Sequence, residues 1–471
     1  SKAVSPGALS GMAGGGACRS AMARSAGSSA PVEAPGETAF EMNIEAETDA
    51  EAANIAAVEA SMRALMRTPT LVAGAVMPDA CPAGPVGTIP VGGVAAAQNA
   101  IHPGFHSADI CCSVAVSVLG DVDPKAALDA AQKLTHFGGG GRGRSGRLPA
   151  PKVLERFAGN RFLTGLEDAG HDHFGTQGDG NHFLYVGRLK STGAVAMATH
   201  HGSRKPGAML YKRGMVEAQR RTKEISPETP AGNAWLVADS EEGQAYWQAL
   251  QIIREWTKAN HAVIHARVAE ALGVKAEEFF WNEHNFVFQK SDGRFYHGKG
   301  ATPAWADYAA DTNGLTLIPL NMAEPILITR GLDAARGLGF SPHGAGRNMS
   351  RSAHVRALGD YKPADQVRVE TKGIDVRFYS GRPDVSELPS AYKDAASVRR
   401  QIDQFGLAEV VDEIEPYGAI MAGDWMADAP WRKQRQEKRE AKARGHREER
   451  RTAKRATERL ARDGGDADDD E

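Results

Sequence analysis

Six short stretches hold most of the side chains in this sequence that could perform chemistry. Each sets a cysteine, a carboxylate or a histidine among small or polar residues instead of within an apolar period. They are MPDAC (77–81), ADICC (108–112), GDGNHF (178–183), THHGSR (199–204), WNEHNF (281–286) and SPHGAGR (341–347). Thiolate, carboxylate and neutral imidazole ligands together suit a borderline divalent metal such as zinc, manganese or iron. The set therefore predicts a metal site. A single histidine in such a setting is more often an ordinary loop residue, and no C-x-x-C pair marks a structural zinc site.

The stretch SPHGAGR suggests phosphate chemistry. Glycines on both sides of His343 allow backbone amides to approach a phosphate closely, and Arg347 can donate two parallel hydrogen bonds to its oxygens. An imidazole in that position could attack phosphorus and form a phosphoramidate. The alternative is a glycine turn that carries an exposed histidine.

Composition places the chain among ordinary globular proteins. It has 471 residues, of which 42% are hydrophobic and 24% are charged, enough for a large core or for several domains. We expect a cytoplasmic protein, since four cysteines are too few for a disulfide framework and no long apolar run or signal peptide is apparent. The net charge of −3 means that nucleic-acid binding would need local basic patches.

Apolar periodicity predicts both helices and strands. A helix is predicted over 49–67, and the clearest one over 244–272, with Gly273 at its C-terminal cap. Short β-prone runs at 182–189 and 193–199 alternate with glycine-rich turns. The sequence thus predicts a mixed α/β protein.

The two ends differ in composition from the middle. Residues 1–35 are mostly Ala, Gly and Ser and are predicted to be disordered. The segment 425–471 is a charged tail, with 14 Lys/Arg against 5 Glu between residues 432 and 462. The tail is either a solvated charged segment or an arm that contacts RNA. A catalytic domain is therefore expected over 36–424.

Taken in order, the motifs resemble those of the RtcB-type tRNA-splicing RNA ligases. The resemblance covers about residues 55–424 and includes PVGGVAA, GTQGDGNHF, HHGSR, EHNF, HGKGATPA, HGAGRNMSR and LPSAYKD, besides MPD and DICC. It implies a largely antiparallel β-sheet core surrounded by helices. In this family an aspartate and the cysteine three residues later bind metal, which matches Asp109 and Cys112. Cys111 stands where the family usually has glycine.

The resemblance also implies roles for single residues. His182, His200 and His284 would complete a site for two manganese ions with Asp109 and Cys112, the thiolate bridging the ions. His343 would accept GMP from GTP, and Asp79 would hold its imidazole through the other ring nitrogen. The residues expected to contact the nucleotide or its phosphates are Asn181, Phe183, Tyr185, Asn321, Gly344, Ala345, Gly346, Arg347, Tyr392 and Met421.

The implied reaction joins RNA ends. A 2′,3′-cyclic phosphate is opened to a 3′-phosphate, the GMP on His343 activates that phosphate, and a 5′-hydroxyl then attacks as GMP leaves. RNA repair or tRNA splicing would use this reaction, with or without a protein activator. The loop GGGGRGRSGR (138–147) is a candidate for contact with the RNA backbone through Arg142, Arg144 and Arg147, and the alternative is an unstructured glycine linker.

Three positions depart from the family pattern where the nucleobase is read. Tyr185 replaces a glutamate, Asn321 a serine and Met421 a lysine. We therefore expect a divergent branch whose preference for GTP is relaxed towards ATP. The alternatives are a metal-dependent cyclic phosphodiesterase, and an RNA-binding repair factor with a vestigial metal site. All five metal-site positions and His343 retain the family's residue types, which argues against the binding factor.

Deletion of residues 432–471 tests the two interpretations of the tail. We expect the fold and nucleotide transfer to be unchanged, because this segment has almost no apolar surface to bury. If the tail binds phosphates, the deletion weakens RNA binding and makes its dependence on salt concentration shallower. An unchanged salt slope in RNA-binding titrations would favour the solvated tail.

Overall fold

The structure is a computed structural model, and it describes residues 38–424. The predicted disordered segment 1–35 and the predicted charged tail 425–471 lie outside the described residues. Within the part that is described, no helix combines the length and the apolarity needed to cross a membrane.

The described residues form eight α-helices and seventeen strands. The helices are α1 Asp49–Leu65, α2 Pro124–Leu134, α3 Glu167–His173, α4 Arg204–Ile225, α5 Glu241–Ala271, α6 Arg351–Ala357, α7 Pro363–Glu370 and α8 Ala395–Gln404. The strands are β1 Phe40–Met42, β2 Leu71–Cys81, β3 Val91–Ala97, β4 Ala100–Ile101, β5 Ser113–Gly120, β6 Phe183–Leu189, β7 Val195–His201, β8 Leu236–Val237, β9 Glu278–Glu283, β10 Asn285–Gln289, β11 Phe295–Lys299, β12 Ala301–Pro303, β13 Leu315–Pro319, β14 Ile326–Gly331, β15 Phe340–Pro342, β16 Asp375–Phe378 and β17 Ala408–Met421.

Two large sheets form the centre of the fold. One has the strand order β1-β2-β3-β11-β10, and the other the order β13-β14-β17-β6-β7-β5-β9, with β16 paired to β17. Two short pairs, β12-β15 and β4-β8, accompany them. Every pairing is antiparallel except β1–β2 and β16–β17. The predicted mixed α/β fold with a largely antiparallel sheet core is confirmed.

The predicted elements lie close to the observed ones. Helix α1 begins after Thr48, whose side chain accepts a hydrogen bond from the backbone N–H of Glu51, as an N-cap residue does. Helix α5 ends before Gly273, which has a φ of +68° and adopts the left-handed conformation of a C-terminal cap. Strands β6 and β7 occupy the two β-prone runs, although β7 begins two residues later than predicted because Gly193 lies in the connecting turn.

Helix α5 has a second buried face that apolar periodicity did not indicate. Besides the predicted apolar face, Asn260, His261 and His265 are buried. The His261 and His265 rings both hydrogen-bond the hydroxyl of Thr199 on β7. Buried imidazoles are tolerated here because hydroxyl groups of the sheet satisfy their nitrogens.

The loop 138–147 packs on the protein and is not an unstructured linker. Arg142 donates hydrogen bonds to the carbonyl oxygens of Gly175 and Leu134. Arg147 forms ion pairs with Asp168 and Asp172, which both belong to helix α3. Two of the three arginines proposed to contact RNA therefore have structural partners, while Arg144 remains exposed.

Candidate metal and nucleotide site

Strand pairing brings the predicted metal-site residues together. Cys112 directly precedes β5, His200 lies on β7, and His284 directly follows β9. Strand β5 lies between β7 and β9, with Ser113 opposite both His201 and Glu283, so these three side chains meet at one end of the sheet. His182, directly before β6, joins them because β6 pairs with the other edge of β7.

The donor atoms form two groups that share one sulfur. Cys112, His200 and His284 form one group, and Asp109, Cys112 and His182 the other, with the ligand atoms of each group within 4.8 Å of one another. The Sγ of Cys112 lies 3.1 Å from Nε2 of His200 and 3.6 Å from Nε2 of His182. Nε2 of His182 lies 2.9 Å from Oδ2 of Asp109. The structure thus brings all five predicted side chains together as two donor groups that have the sulfur of Cys112 in common.

The protonation of these groups suits a cation. Burial lowers the pKa of His200 to about 3, so the ring is neutral at pH 7, and burial also holds the pKa of His284 well below its usual value. Nδ1 of His200 donates to the carbonyl oxygen of Asn181 at 3.1 Å, which leaves the lone pair on Nε2 facing Cys112. Burial raises the pKa of the Cys112 thiol, and a bound divalent ion would favour the thiolate.

His343 is held by a fully buried carboxylate. Its Nδ1 lies 2.5 Å from Oδ2 of Asp79, and the same oxygen accepts the backbone N–H of His343 at 3.1 Å. Asp79 belongs to β2, at a point where the register between β2 and β3 is interrupted. Its second oxygen, Oδ1, has no partner among the described residues. With the proton on Nδ1, the lone pair of His343 lies on Nε2.

Glycine is required beside this pair. Gly346 has a φ of +69°, and a Cβ atom there would lie 1.9 Å from the carbonyl oxygen of Asp79. A Cβ atom on Gly344 would lie 2.8 Å from the carbonyl oxygen of Pro319. The glycines of HGAGR therefore allow the loop to pack directly on β2 and on the end of β13.

A single cavity of about 890 Å³ connects the metal donors with His343. The ring centroids of His284 and His343 are 4.8 Å apart. The sequence-predicted residues that line the cavity are Asp109, Cys112, Asn181, Phe183, Tyr185, His200, His284, Asn321, His343, Gly344, Ala345, Gly346, Arg347, Tyr392 and Met421. Asp79 lies behind His343, and His182 behind Asp109 and Cys112. The volume is sufficient for a nucleotide.

The structure identifies a buried anion that the sequence analysis missed. Glu387 is almost fully buried, and its Oε2 accepts from Nη2 of Arg347 at 2.5 Å and from the hydroxyl of Tyr392 at 2.6 Å. Its Oε1 accepts from Nε of Arg351 at 2.5 Å. The guanidinium of Arg347 also stacks on the Tyr392 ring, 4.5 Å from its centroid. Glu387 directly precedes the motif LPSAYKD. This position beside a matched motif was the one sequence feature that could have indicated a role for Glu387.

This network changes the expectation for Arg347. Its Nη1 donates to the carbonyl oxygen of Ser386 and its Nη2 to Glu387 and Tyr392, so most of its donors are used within the protein. Its side chain is 14% exposed, whereas that of Arg351 in the same cavity is 51% exposed. Of the two, Arg351 has more surface to offer an incoming phosphate.

Tyr185 is arranged differently from the expectation as well. Its ring lines the cavity, but its hydroxyl lies 2.9 Å from the carbonyl oxygen of Ile414 and 3.2 Å from that of Glu324. The phenol group lies in the protein interior, since Tyr185 is 1% exposed. The hydroxyl is therefore not available to a nucleobase.

Comparison with known proteins identifies the family. A family model described as "tRNA-splicing ligase RtcB" matches residues 154–422, more than half of the chain. The Archaeoglobus fulgidus protein named "tRNA-splicing ligase RtcB" is 29% identical over 291 residues, which are 53% of this chain and 60% of the relative. The Aeropyrum pernix protein of the same name is 27% identical over 411 residues, covering 70% of this chain and 84% of the relative. The Mycobacterium tuberculosis protein "RNA-splicing ligase RtcB" is 26% identical over 407 residues, covering 70% and 93%.

The fold and the site define a mixed α/β protein whose cavity brings Asp109, Cys112, His200 and His284 close to His343. The chain belongs to the RtcB family, as the sequence motifs indicated. Asp79, Asp109 and Cys112 all precede the stretch that the family model matches. The tertiary structure nevertheless places them against His343, His182 and His200, which lie within that stretch.

Replacement of Glu387 tests whether it holds the cavity wall. In Glu387→Gln, Arg347 and Arg351 lose their shared anionic partner. We expect the free energy of unfolding to fall by about 1–3 kcal/mol. Urea denaturation measures this change. The matched control is Glu409→Gln, because Glu409 is exposed on β17. Equal stability of the two variants would contradict the assigned role.

Proposed function

We propose that this protein is an RNA ligase that joins RNA ending in a 2′,3′-cyclic phosphate or 3′-phosphate to RNA with a 5′-hydroxyl end. The observation that carries the proposal is that His343, whose ring is held by Asp79, lines the same cavity as Asp109, Cys112, His200 and His284 of the two donor groups. A module that only binds RNA has no need for a buried carboxylate on a histidine that faces such a cavity. The names of the relatives, all RNA ligases, agree with this proposal.

The first step is the transfer of a nucleotide to His343. Asp79 holds the proton on Nδ1, so the neutral Nε2 carries the lone pair that attacks the α-phosphorus of a nucleoside triphosphate. An N–P bond forms, the P–O bond to the β-phosphate breaks, and pyrophosphate leaves. The carboxylate stabilises the positive charge that develops on the ring.

An RNA end with a 2′,3′-cyclic phosphate is first hydrolysed: water attacks the phosphorus, the P–O2′ bond breaks, and the 2′-oxygen takes up the proton, which leaves a 3′-phosphate. Two further transfers then complete the ligation. The terminal 3′-phosphate of RNA attacks the phosphorus of the adduct, and Nε2 of His343 leaves with the electron pair of the N–P bond. The 5′-hydroxyl of the second RNA then attacks the activated 3′-phosphate, the nucleoside monophosphate leaves, and a 3′,5′-phosphodiester remains. The cavity holds these groups close together, which replaces an encounter in solution by a reaction between positioned groups.

We propose manganese as the metal, bound as two ions by Asp109, Cys112, His182, His200 and His284. The mixture of thiolate, carboxylate and neutral imidazole agrees with a divalent transition metal. Such an ion neutralises phosphate charge when it is bound. The nucleotide is proposed to be GTP, with a preference relaxed towards ATP, and cleaved tRNA or rRNA are the proposed substrates.

The metal content of variants tests whether both proposed metal positions use Cys112 as a ligand. Cys112 belongs to both ligand groups, so Cys112→Ala should lose manganese from both positions, whereas His182→Ala leaves the group Cys112, His200 and His284 intact. Elemental analysis after dialysis and manganese titration followed by electron paramagnetic resonance measure the bound ions. Cys111→Ala is the matched control, because Cys111 is the adjacent buried cysteine outside both groups. Wild-type manganese binding by Cys112→Ala would refute the assignment.

Intact-mass spectrometry tests the nucleophile. With manganese and GTP or ATP, the protein should gain one nucleoside monophosphate through an acid-labile bond, and His343→Ala should abolish the gain. Residue His171 on α3 does not line the cavity, so His171→Ala is the control and should retain the adduct. Ligation that persists in His343→Ala would exclude the covalent route. Loss of ligation with continued opening of cyclic phosphates would point to a phosphodiesterase.

A further inference from the structure

One wall of the cavity is apolar and continuous. Phe183 and Tyr185 of β6 lie opposite Met421 and Ala419 of β17, and these side chains pack in one cluster with Met322 and Ile326. All six residues line the cavity that contains His343. None of the described residues that form this wall is charged. A nucleobase against it gains stacking and apolar contact, which any purine can supply.

The loop that closes this wall contains a polar side chain, Asn321. The loop follows β13, whose last carbonyl, that of Pro319, lies against Gly344 of the phosphate loop. It continues to Glu324, whose carbonyl oxygen lies 3.2 Å from the Tyr185 hydroxyl. Asn321 therefore lies between Gly344 of the HGAGR loop and the apolar wall, and it lines the cavity.

The orientation of the Asn321 amide is determined by the backbone. Its Oδ1 accepts the N–H of Ala323 at 2.9 Å, forming an Asx turn. A flipped amide would place two donors face to face, so the assignment of oxygen and nitrogen follows from the turn itself. The Nδ2 group has no hydrogen-bond partner among the described residues. Asn321 thus offers the cavity a donor.

A donor alone cannot distinguish the purines. An asparagine selects adenine when its oxygen and nitrogen act side by side on the base edge, and here the oxygen is turned towards Ala323. Guanine is selected by an acceptor that meets its adjacent N1–H and amino groups, and Asn321 presents no second acceptor to them. Both purines carry ring or carbonyl acceptors that a single N–H can reach.

We propose that Asn321 contacts the nucleobase as a hydrogen-bond donor only, so that the cavity accepts adenine and guanine nucleotides with similar affinity. This inference rests on the proposed function, because it takes the cavity to be the nucleotide site. The Asx turn occupies the oxygen of Asn321, so the side chain cannot form two hydrogen bonds to the edge of a base. For this reason Asn321 does not distinguish adenine from guanine.

The test separates binding from transfer. The full-length protein with manganese is titrated calorimetrically with the α,β-methylene analogues of GTP and ATP, in which the bond that would break is absent. We expect dissociation constants within about tenfold of each other, since no paired contact distinguishes the bases. A preference of more than about a hundredfold for one analogue would overturn the inference, because such discrimination requires a bidentate contact.

The variant Asn321→Asp changes the donor to an acceptor and keeps the turn, since a carboxylate also accepts from the Ala323 N–H. We expect the ratio of affinities to shift about tenfold or more towards the guanine analogue, because its N1–H and amino group can both donate to Oδ2, the carboxylate oxygen that the turn leaves free. The matched control is Asn313→Asp. Oδ1 of Asn313 accepts the N–H of Leu315 at 3.0 Å in the same type of turn, and it does not line the cavity. An equal change for both analogues in Asn321→Asp would place Asn321 on the ribose or the phosphates and refute the inference.

The two proposals can fail separately. If the analogues bind as expected but neither GTP nor ATP labels His343, the proposed transfer is wrong and the account of base selection stands. If His343 is labelled with GTP but not ATP, the proposed transfer stands and the inference is wrong. Failure of both analogues to bind would overturn both.

Discussion

The hydrogen bond between Asp79 and His343 is the contact on which the arrangement of the cavity depends. It joins β2 of the five-stranded sheet to the loop after β15, through one carboxylate oxygen that accepts from both the backbone and the ring of His343. A fully buried carboxylate is costly unless such donors stabilise its charge. The contact also requires Gly346, because any side chain there would displace the Asp79 carbonyl. Substitution of Gly346 or Asp79 is therefore expected to change the orientation of the His343 imidazole.

The metal donors depend on a different constraint, the order of strands in the larger sheet. Because β5 lies between β7 and β9, residues that are far apart in sequence are brought to the same end of the sheet. The opposite side of these strands is supported by buried polar groups of α5. His261 bridges Ser113 and Thr199, the residues next to Cys112 and His200. Hydrogen bonds in the core thus support the backbone next to two of the donors.

The cavity that contains His343 combines an edge of two arginines with an apolar wall. Glu387 restrains Arg347, Arg351 and Tyr392 together, so two cations and an aromatic ring share one buried anion. The wall formed by Phe183 and Tyr185 of β6 and by Ala419 and Met421 of β17 carries no charged side chain, and the hydroxyl of Tyr185 is turned into the core. The charged and the apolar parts of the cavity are therefore formed by different segments of the chain.

The sequence by itself determined the family, the mixed α/β class, the approximate position of α1 and α5, and the identity of the residues that meet in the cavity. These depend on local periodicity and on short motifs such as HGAGR and GNHF, which remain readable without any contact information. Only the tertiary structure decided how the residues are used. The buried polar face of α5, the use of Arg142 and Arg147 on the protein itself and the anion Glu387 all depend on partners that are distant in the chain. The directions of the Tyr185 hydroxyl and the Asn321 amide could not be predicted from the sequence either. A hydrogen-bonding side chain has several possible partners, and packing selects among them.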